Sequence, residues 1–278
     1  HQPQGSMGND APLAVLSDEP QNMFAYFKQA FAQVSNPPLD AIREKLVTQR
    51  AVPAGRRPNI FETTPLHCRT LRIDHPILRN TELAKIKASN VAGVKTKTIS
   101  TLFPVSEGVK GLEKALDRVR KEASEAIENG YTLIVLSDRH VDNKNAYIPS
   151  LLATSAVHHH LIREGLRTKV GLVVESGEPK EVANFALLIG YGAGAINPYL
   201  AFETLEDLIG QQFLPPYVNS AKAENNFIKE LRDTAPNYIV YSSKINWFKN
   251  KNNAPNADKF ILDNYFLYKD LAPWIIYK

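Results

Sequence analysis

The chain has 278 residues, 44% of them hydrophobic and 22% charged, with 33 Lys and Arg against 29 Asp and Glu for a net charge of +4. This is the composition of a core-forming globular protein and excludes disorder and collagen, and basic residues spread along the chain without a long run give no reason to expect nucleic acid as a partner. No stretch reaches the roughly 20 apolar residues of a membrane helix, the start at His1 to Ser6 lacks the basic-then-apolar order of a secretory signal, and the single cysteine, Cys68, can form neither an internal disulfide nor a Cys-based cluster, so a reducing intracellular compartment is expected.

At this length one hydrophobic core nears its upper useful size, so a domain with an appendage is expected. The first segment is irregular as far as Asp18-Glu19-Pro20, where an acidic residue before proline marks a helix start and the apolar residues from Met23 to Phe31 follow at helical spacing. Asn36-Pro37-Pro38 ends it, a short helix is expected from Leu39 to Leu46, and Pro53 to Pro58 reads as a basic, solvated loop carrying Arg56-Arg57.

From Thr81 the pattern becomes a βα alternation. Thr98 to Val105 reads as a strand, and Glu107 to Asn129 as a long amphipathic helix with Leu112, Ala115, Leu116, Val119 and Ala123 on one face, closed by Gly130. Tyr131 to Leu136 reads as a buried strand and Ser137 to Tyr147 as a polar loop. Pro149 opens a helix to Gly165, Val170 to Val174 is a strand, Pro179 to Gly190 a helix and Ala195-Ile196 a short strand. Such alternation predicts parallel pairing with right-handed crossovers, in a barrel-like or an open doubly wound sheet. Beyond about Gln212 the composition turns to Asn, Lys and aromatics, and residues 213–278 read as a divergent tail of undetermined fold.

Five motifs invite a chemical reading. His158-His159-His160 lie on a helix, where consecutive side chains point about 100° apart and cannot converge on one ion, so a structural role is expected. His67 beside Cys68 is a poor catalytic dyad for the same directional reason. Gly190-Tyr191-Gly192-Ala193-Gly194 sits between a helix and a strand, the reverse of a dinucleotide loop, and reads as a tight αβ turn. Ser137-Asp138-Arg139-His140 and Glu175-Ser176-Gly177-Glu178-Pro179 each follow a strand, where α/β proteins place functional loops. Asp138, Arg139, His140 and Glu175 are therefore the strand-end site candidates; Asp138 and Arg139 capping the turn or pairing with each other is the plainer alternative. Exposed backbone N–H groups after Glu175 would suit an anion, which the charges of Glu175 and Glu178 oppose.

Long ungapped blocks carry a further signal: Gly5-Ser6-Met7-Gly8-Asn9-Asp10, Phe31 to Pro38, Thr64-Pro65-Leu66-His67-Cys68-Arg69, Tyr131 to Arg139, Ile148 to His160, Gly171 to Glu178 and Gly190 to Leu200. Together they resemble the central domain of glutamate synthase, over about three quarters of the chain from Gly5 to Leu205. The resemblance implies a barrel-like, TIM-barrel-related parallel βα unit over residues 1–212, without bound flavin, behind an irregular N-terminal segment. It implies a linking role: a glutaminase domain releases ammonia, an FMN-binding synthase domain uses it to make L-glutamate from 2-oxoglutarate, and the central domain couples the two. Those domains would be its partners.

FMN and an iron–sulfur cluster are expected in the whole enzyme, an oxidoreductase acting on CH–NH2 groups, and no cofactor in this chain; the location would be cytoplasm or plastid stroma. By the same resemblance Met7 and Ser35, the latter commonly Thr in the family, would line or adjoin the ammonia tunnel. After Leu205 the family's Lys-rich, Gly-containing run is replaced by Phe213-Leu214-Pro215-Pro216 and the aromatic tail. The alternatives are a stand-alone, non-catalytic interaction module, or an independent α/β enzyme using Asp138, Arg139, His140 and Glu175.

Overall fold

The computed structural model describes residues 14–18, 20–27, 40, 42, 52–68, 70–89, 91–213, 223 and 225–229. Met7 and Ser35 lie outside the described residues, as do most of the helix expected at Leu39 to Leu46 and nearly all of the 213–278 tail. The described residues fall into two compact units, one within 40–180 and 184–202, the other within 1–39, 181–183 and 203–278.

The first unit is built on a four-stranded parallel sheet. Its strands are β3 (Thr96–Ser100), β5 (Leu133–Ser137), β7 (Gly171–Glu175) and β8 (Ala195–Asn197), side by side in that order. Ile77 adds one parallel bridge to Ile196 beyond β8. The helices are α1 (Asn80–Lys87), α2 (Gly108–Glu128), α3 (Ser150–Arg163), α4 (Val182–Gly190) and α5 (Tyr199–Gly210), the last two running on into the second unit. Among the described residues, two antiparallel ribbons accompany the sheet: β1 (Val52–Ala54) with β2 (Leu71–Ile73), and β4 (Leu102–Pro104) with β6 (Asn145–Tyr147).

Strand β5 shows why the sheet is buried on both faces. All five of its residues are buried, and alternate side chains go to opposite sides. Ile134 and Leu136, with Leu172, pack against Ala115, Val119 and Ala123 of α2 and Val157 and Leu161 of α3. Leu133 and Val135, with Val173, pack against Ala54 and Ile73 of the first ribbon and Leu83 and Ile86 of α1. Ala115, Val119 and Ala123 are the expected apolar face of α2, and Gly130 closes that helix at φ +77°.

Three expectations need correction. The strand expected from Thr98 to Val105 divides at Thr101, whose N–H and hydroxyl both donate to the Ser137 carbonyl, so that β3 stays in the parallel sheet while β4 leaves to pair with β6. β6 itself falls inside the expected polar loop; Asp142 orders it by accepting from the N–H groups of Lys144 and Asn145, a polar device that leaves no apolar period. The helix expected from Pro179 starts at Val182. In the second unit, the described part of the expected N-terminal helix is a 3-10 turn over Met23–Phe27, opened by Asn22 accepting from the Phe24 N–H, and residues 28–31 lie outside the described residues.

The glycine turn is the expected αβ turn. Gly192 has φ +108°, and a Cβ there would lie 2.1 Å from His158 Nδ1. Arg167 locks the approach, donating from Nε to His158 Nδ1 at 2.9 Å and from an Nη to the Gly192 carbonyl at 2.7 Å. His160 instead meets Ser124 of α2 at 2.8 Å, so these two histidines serve different packing contacts.

Candidate functional site at the strand ends

The C-terminal ends of β5, β7 and β8 carry a buried polar cluster: Ser137, Asp138, Glu175, Ser176 and Asn197 are all nearly or fully inaccessible. The structure brings Asp138, Arg139 and Glu175 together, and leaves His140 exposed in the following turn at φ +74°.

Glu175 is the hub. Its side chain is 4% exposed, and it accepts from Lys87 Nζ at 2.7 Å and Arg139 Nε at 2.8 Å on separate oxygens. Burial would push its carboxyl up, but hydrogen bonds from Lys87, Ser137 and Arg139 outweigh that and hold it below the ordinary glutamate value. The Arg139 guanidinium carbon also lies over the Tyr199 ring, 4.1 Å from its centroid.

Asp138 occupies the anion position that the loop after Glu175 was expected to offer. Ser176 Oγ donates to it at 2.5 Å and the Gly177 N–H at 3.1 Å, with Tyr199 a further partner. The anion held by these donors is thus one of the chain's own side chains. Burial is the larger influence and pushes the Asp138 carboxyl up, with the nearby charge of Glu175 acting in the same direction.

Glu178 serves a helix other than the one that follows it in sequence. It accepts from the Ser150 N–H at 2.5 Å and so caps the N-terminus of α3 from 28 residues further on. Its carboxyl is pushed up, first by burial and then, against the Ser150 hydrogen bonds, by the charge of Asp138. Tyr147 is pushed up to about 12 by burial, the charges of Glu178 and Asp138, and its hydrogen bond to Glu178. On β8, Asn197 donates to the Leu78 carbonyl at 2.8 Å and to Asn80 Oδ1 at 2.9 Å, tying the sheet to the start of α1.

Lys87, Tyr147, Ser176 and Tyr199 are members that sequence reasoning missed. Lys87 lies 88 residues from Glu175, and nothing local to it signals the pairing. Ser176 was visible within the loop after β7, but its partner was not.

The cluster can hold three strand ends and two helix starts in register; it presents little for chemistry, because its carboxylates are engaged by the chain's own donors. An iron–sulfur cluster does not fit here, since clusters are held by several thiolates and Cys68 is the only cysteine, exposed and alone. Among the described residues no three His, Cys, Asp or Glu side chains gather as a metal ion requires. The phosphate of FMN would meet the carboxyl groups of Asp138 and Glu178 at these strand ends, where the cations Lys87 and Arg139 are already paired with Glu175. A groove of about 330 Å³ lined by Lys95, Lys97, Glu122, Glu125, Asn129 and Tyr131 lies at the opposite, N-terminal ends of β3 and β5.

The described fold is a mixed α/β unit on a parallel sheet, with most of the strand-end polar groups paired to one another and Asn197 Oδ1 buried without a hydrogen-bond partner. The family model of the glutamate synthase central domain matches residues 1–235, and the chain belongs to that family. The chain is 47% identical over 209 residues to the glutamate synthase [NADPH] large chain of Bacillus subtilis, covering 75% of this chain and 13% of that one. It is 43% identical over 227 residues to the glutamate synthase [NADH] of Schizosaccharomyces pombe, covering 80% and 11%. With the chloroplastic ferredoxin-dependent glutamate synthase of Oryza sativa the identity is 40% over 242 residues, covering 83% and 15%. The matched region thus spans little more than a tenth of the length of these relatives.

Proposed function

We propose that this chain acts as the linking domain of a glutamate synthase, coupling ammonia released from glutamine to the reductive synthesis of L-glutamate from 2-oxoglutarate, and that it catalyses neither step itself. Its partners are the glutaminase and FMN-binding synthase domains of the same enzyme, which, with the iron–sulfur cluster, carry the oxidoreductase chemistry. Met7 and Ser35 line or adjoin the ammonia path, a neutral wall being suited to NH3 because a carboxylate there would favour ammonium. The compartment is reducing, cytoplasm or plastid stroma, and among the described residues no helix is long and apolar enough to cross a membrane.

The sequential strand order β3-β5-β7-β8 supports the barrel-related part of this reading. An open doubly wound sheet reverses its strand order at a switch point, and no reversal occurs among these four strands, although α1 packs on the Leu133 and Val135 face, opposite α2 and α3. The family model's match runs to residue 235, past the boundary expected between residues 212 and 213.

The observation that carries the non-catalytic reading is the engagement of Glu175 by Lys87 and Arg139 and of Asp138 by Ser176 and Gly177. The test is Glu175→Gln and Asp138→Asn, each in the full-length synthase. Both are expected to lower stability, by about 2 kcal/mol for Glu175→Gln, which leaves two cations without their anion. The turnover per folded molecule stays at the wild-type value. A large fall in turnover with unchanged stability would instead make the strand ends an active site.

A further inference from the structure

Residues 55–70 join β1 to β2, a long connection for a two-stranded ribbon, and long connections of this kind are commonly functional. At its tip Ile60 is 84% and Phe61 89% exposed, the two most exposed large apolar side chains among the described residues, and they are adjacent. Their turn is nevertheless tightly braced. Asn59 Oδ1 accepts from the Phe61 N–H at 3.1 Å, Asn59 Nδ2 donates to Glu62 Oε1 at 3.1 Å, and the Glu62 N–H donates to the Asn59 carbonyl at 3.1 Å. His67 lies with Nε2 3.0 Å from that same carbonyl and Nδ1 2.9 Å from the Thr64 carbonyl, and each tautomer of the neutral ring donates to one of the two.

The polar groups therefore order the turn while its apolar tips face water. A segment held in one conformation before contact loses little further entropy on docking, and adjacent large apolar side chains with an aromatic ring make an effective anchor. Arg56 and Arg57, both exposed on the same connection, set the charge of its base.

We propose that the Ile60–Phe61 turn is a docking knob that seats in an apolar recess with an acidic rim on a neighbouring domain of the same polypeptide. The proposal rests on the reading of this chain as a linking domain. The occupant follows from the size of the relatives: the matched region is 11% to 15% of their length and belongs to a family described as central, so most of the chain that can cover this surface lies in other domains of the same molecule.

The experiment places a thiol at the tip, Phe61→Cys with Cys68→Ser, in the 278-residue chain and in the full-length synthase that carries it. Maleimide labelling of the tip is followed by peptide mass spectrometry, which separates it from every other cysteine. The expected result is labelling at least about tenfold slower in the full-length enzyme than in the 278-residue chain, because a docked thiol reacts only on local opening. Equal rates would overturn the proposal. Slow labelling in both, with a dimer in sedimentation, would assign the knob to a second copy of this chain and overturn it too. The outcome is separable from that of the linking reading: a shielded tip in an enzyme whose Met7 and Ser35 variants leak no ammonia would keep the knob and remove the tunnel role.

Discussion

Gly192 shows how much of this fold is decided at single positions. Its φ of +108° and the 2.1 Å between a would-be Cβ and His158 Nδ1 leave no room for a side chain, and Arg167 fastens both partners. Gly192→Ala is expected to cost about 1–3 kcal/mol in urea unfolding, from overpacking with backbone strain in addition. Tyr147 gives a second residue-scale expectation. Its folded pKa of about 12 lies above the ordinary value of 10.0, so the folded state holds the proton more tightly and the stability this contributes is present below pH 10. That stability is lost as the pH rises from 10 through about 12. Tyr147→Phe should flatten the unfolding midpoint over this window, and a variant as alkali-sensitive as wild type would show that Tyr147 does not govern it.

At the scale of elements, the α3 cap reaches across the fold. Glu178 is drawn from the loop after β7 to the Ser150 N–H, so Glu178→Ala should destabilise by about 1–2 kcal/mol, with amide exchange increasing first at the N-terminus of α3. Loss of protection spread evenly over the unit would argue against a local cap. The elements themselves were largely legible in the sequence because period carries them: the face of α2 repeats Ala115, Val119 and Ala123, and β5, β7 and β8 are short apolar runs between helices. What was not legible depends on polar atoms far apart in the chain. The split of β3 from β4 needs the Ser137 carbonyl, β6 needs the Asp142 carboxylate, and the late start of α4 left no mark in composition. The strand-end candidates were found by position alone, since loops after parallel strands hold functional groups; that they bond to one another could not be read without Lys87 and Ser176 in place.

For the whole molecule, the chain belongs to the glutamate synthase central domain family and ties its strand ends through a largely paired polar cluster; we propose that it leaves the chemistry to other domains. Coupling, not catalysis, is then what its variants should disturb. The most direct measurement is the free ammonia that escapes per glutamine hydrolysed by the full-length synthase, wild type against Met7→Lys and Ser35→Leu. The account predicts that ammonia escapes in both variants and glutamate formation from glutamine falls, while glutamine hydrolysis and glutamate formation from added ammonia stay at wild-type rates. Glutamate formation that falls equally from glutamine and from added ammonia, with no escaping ammonia, would contradict it.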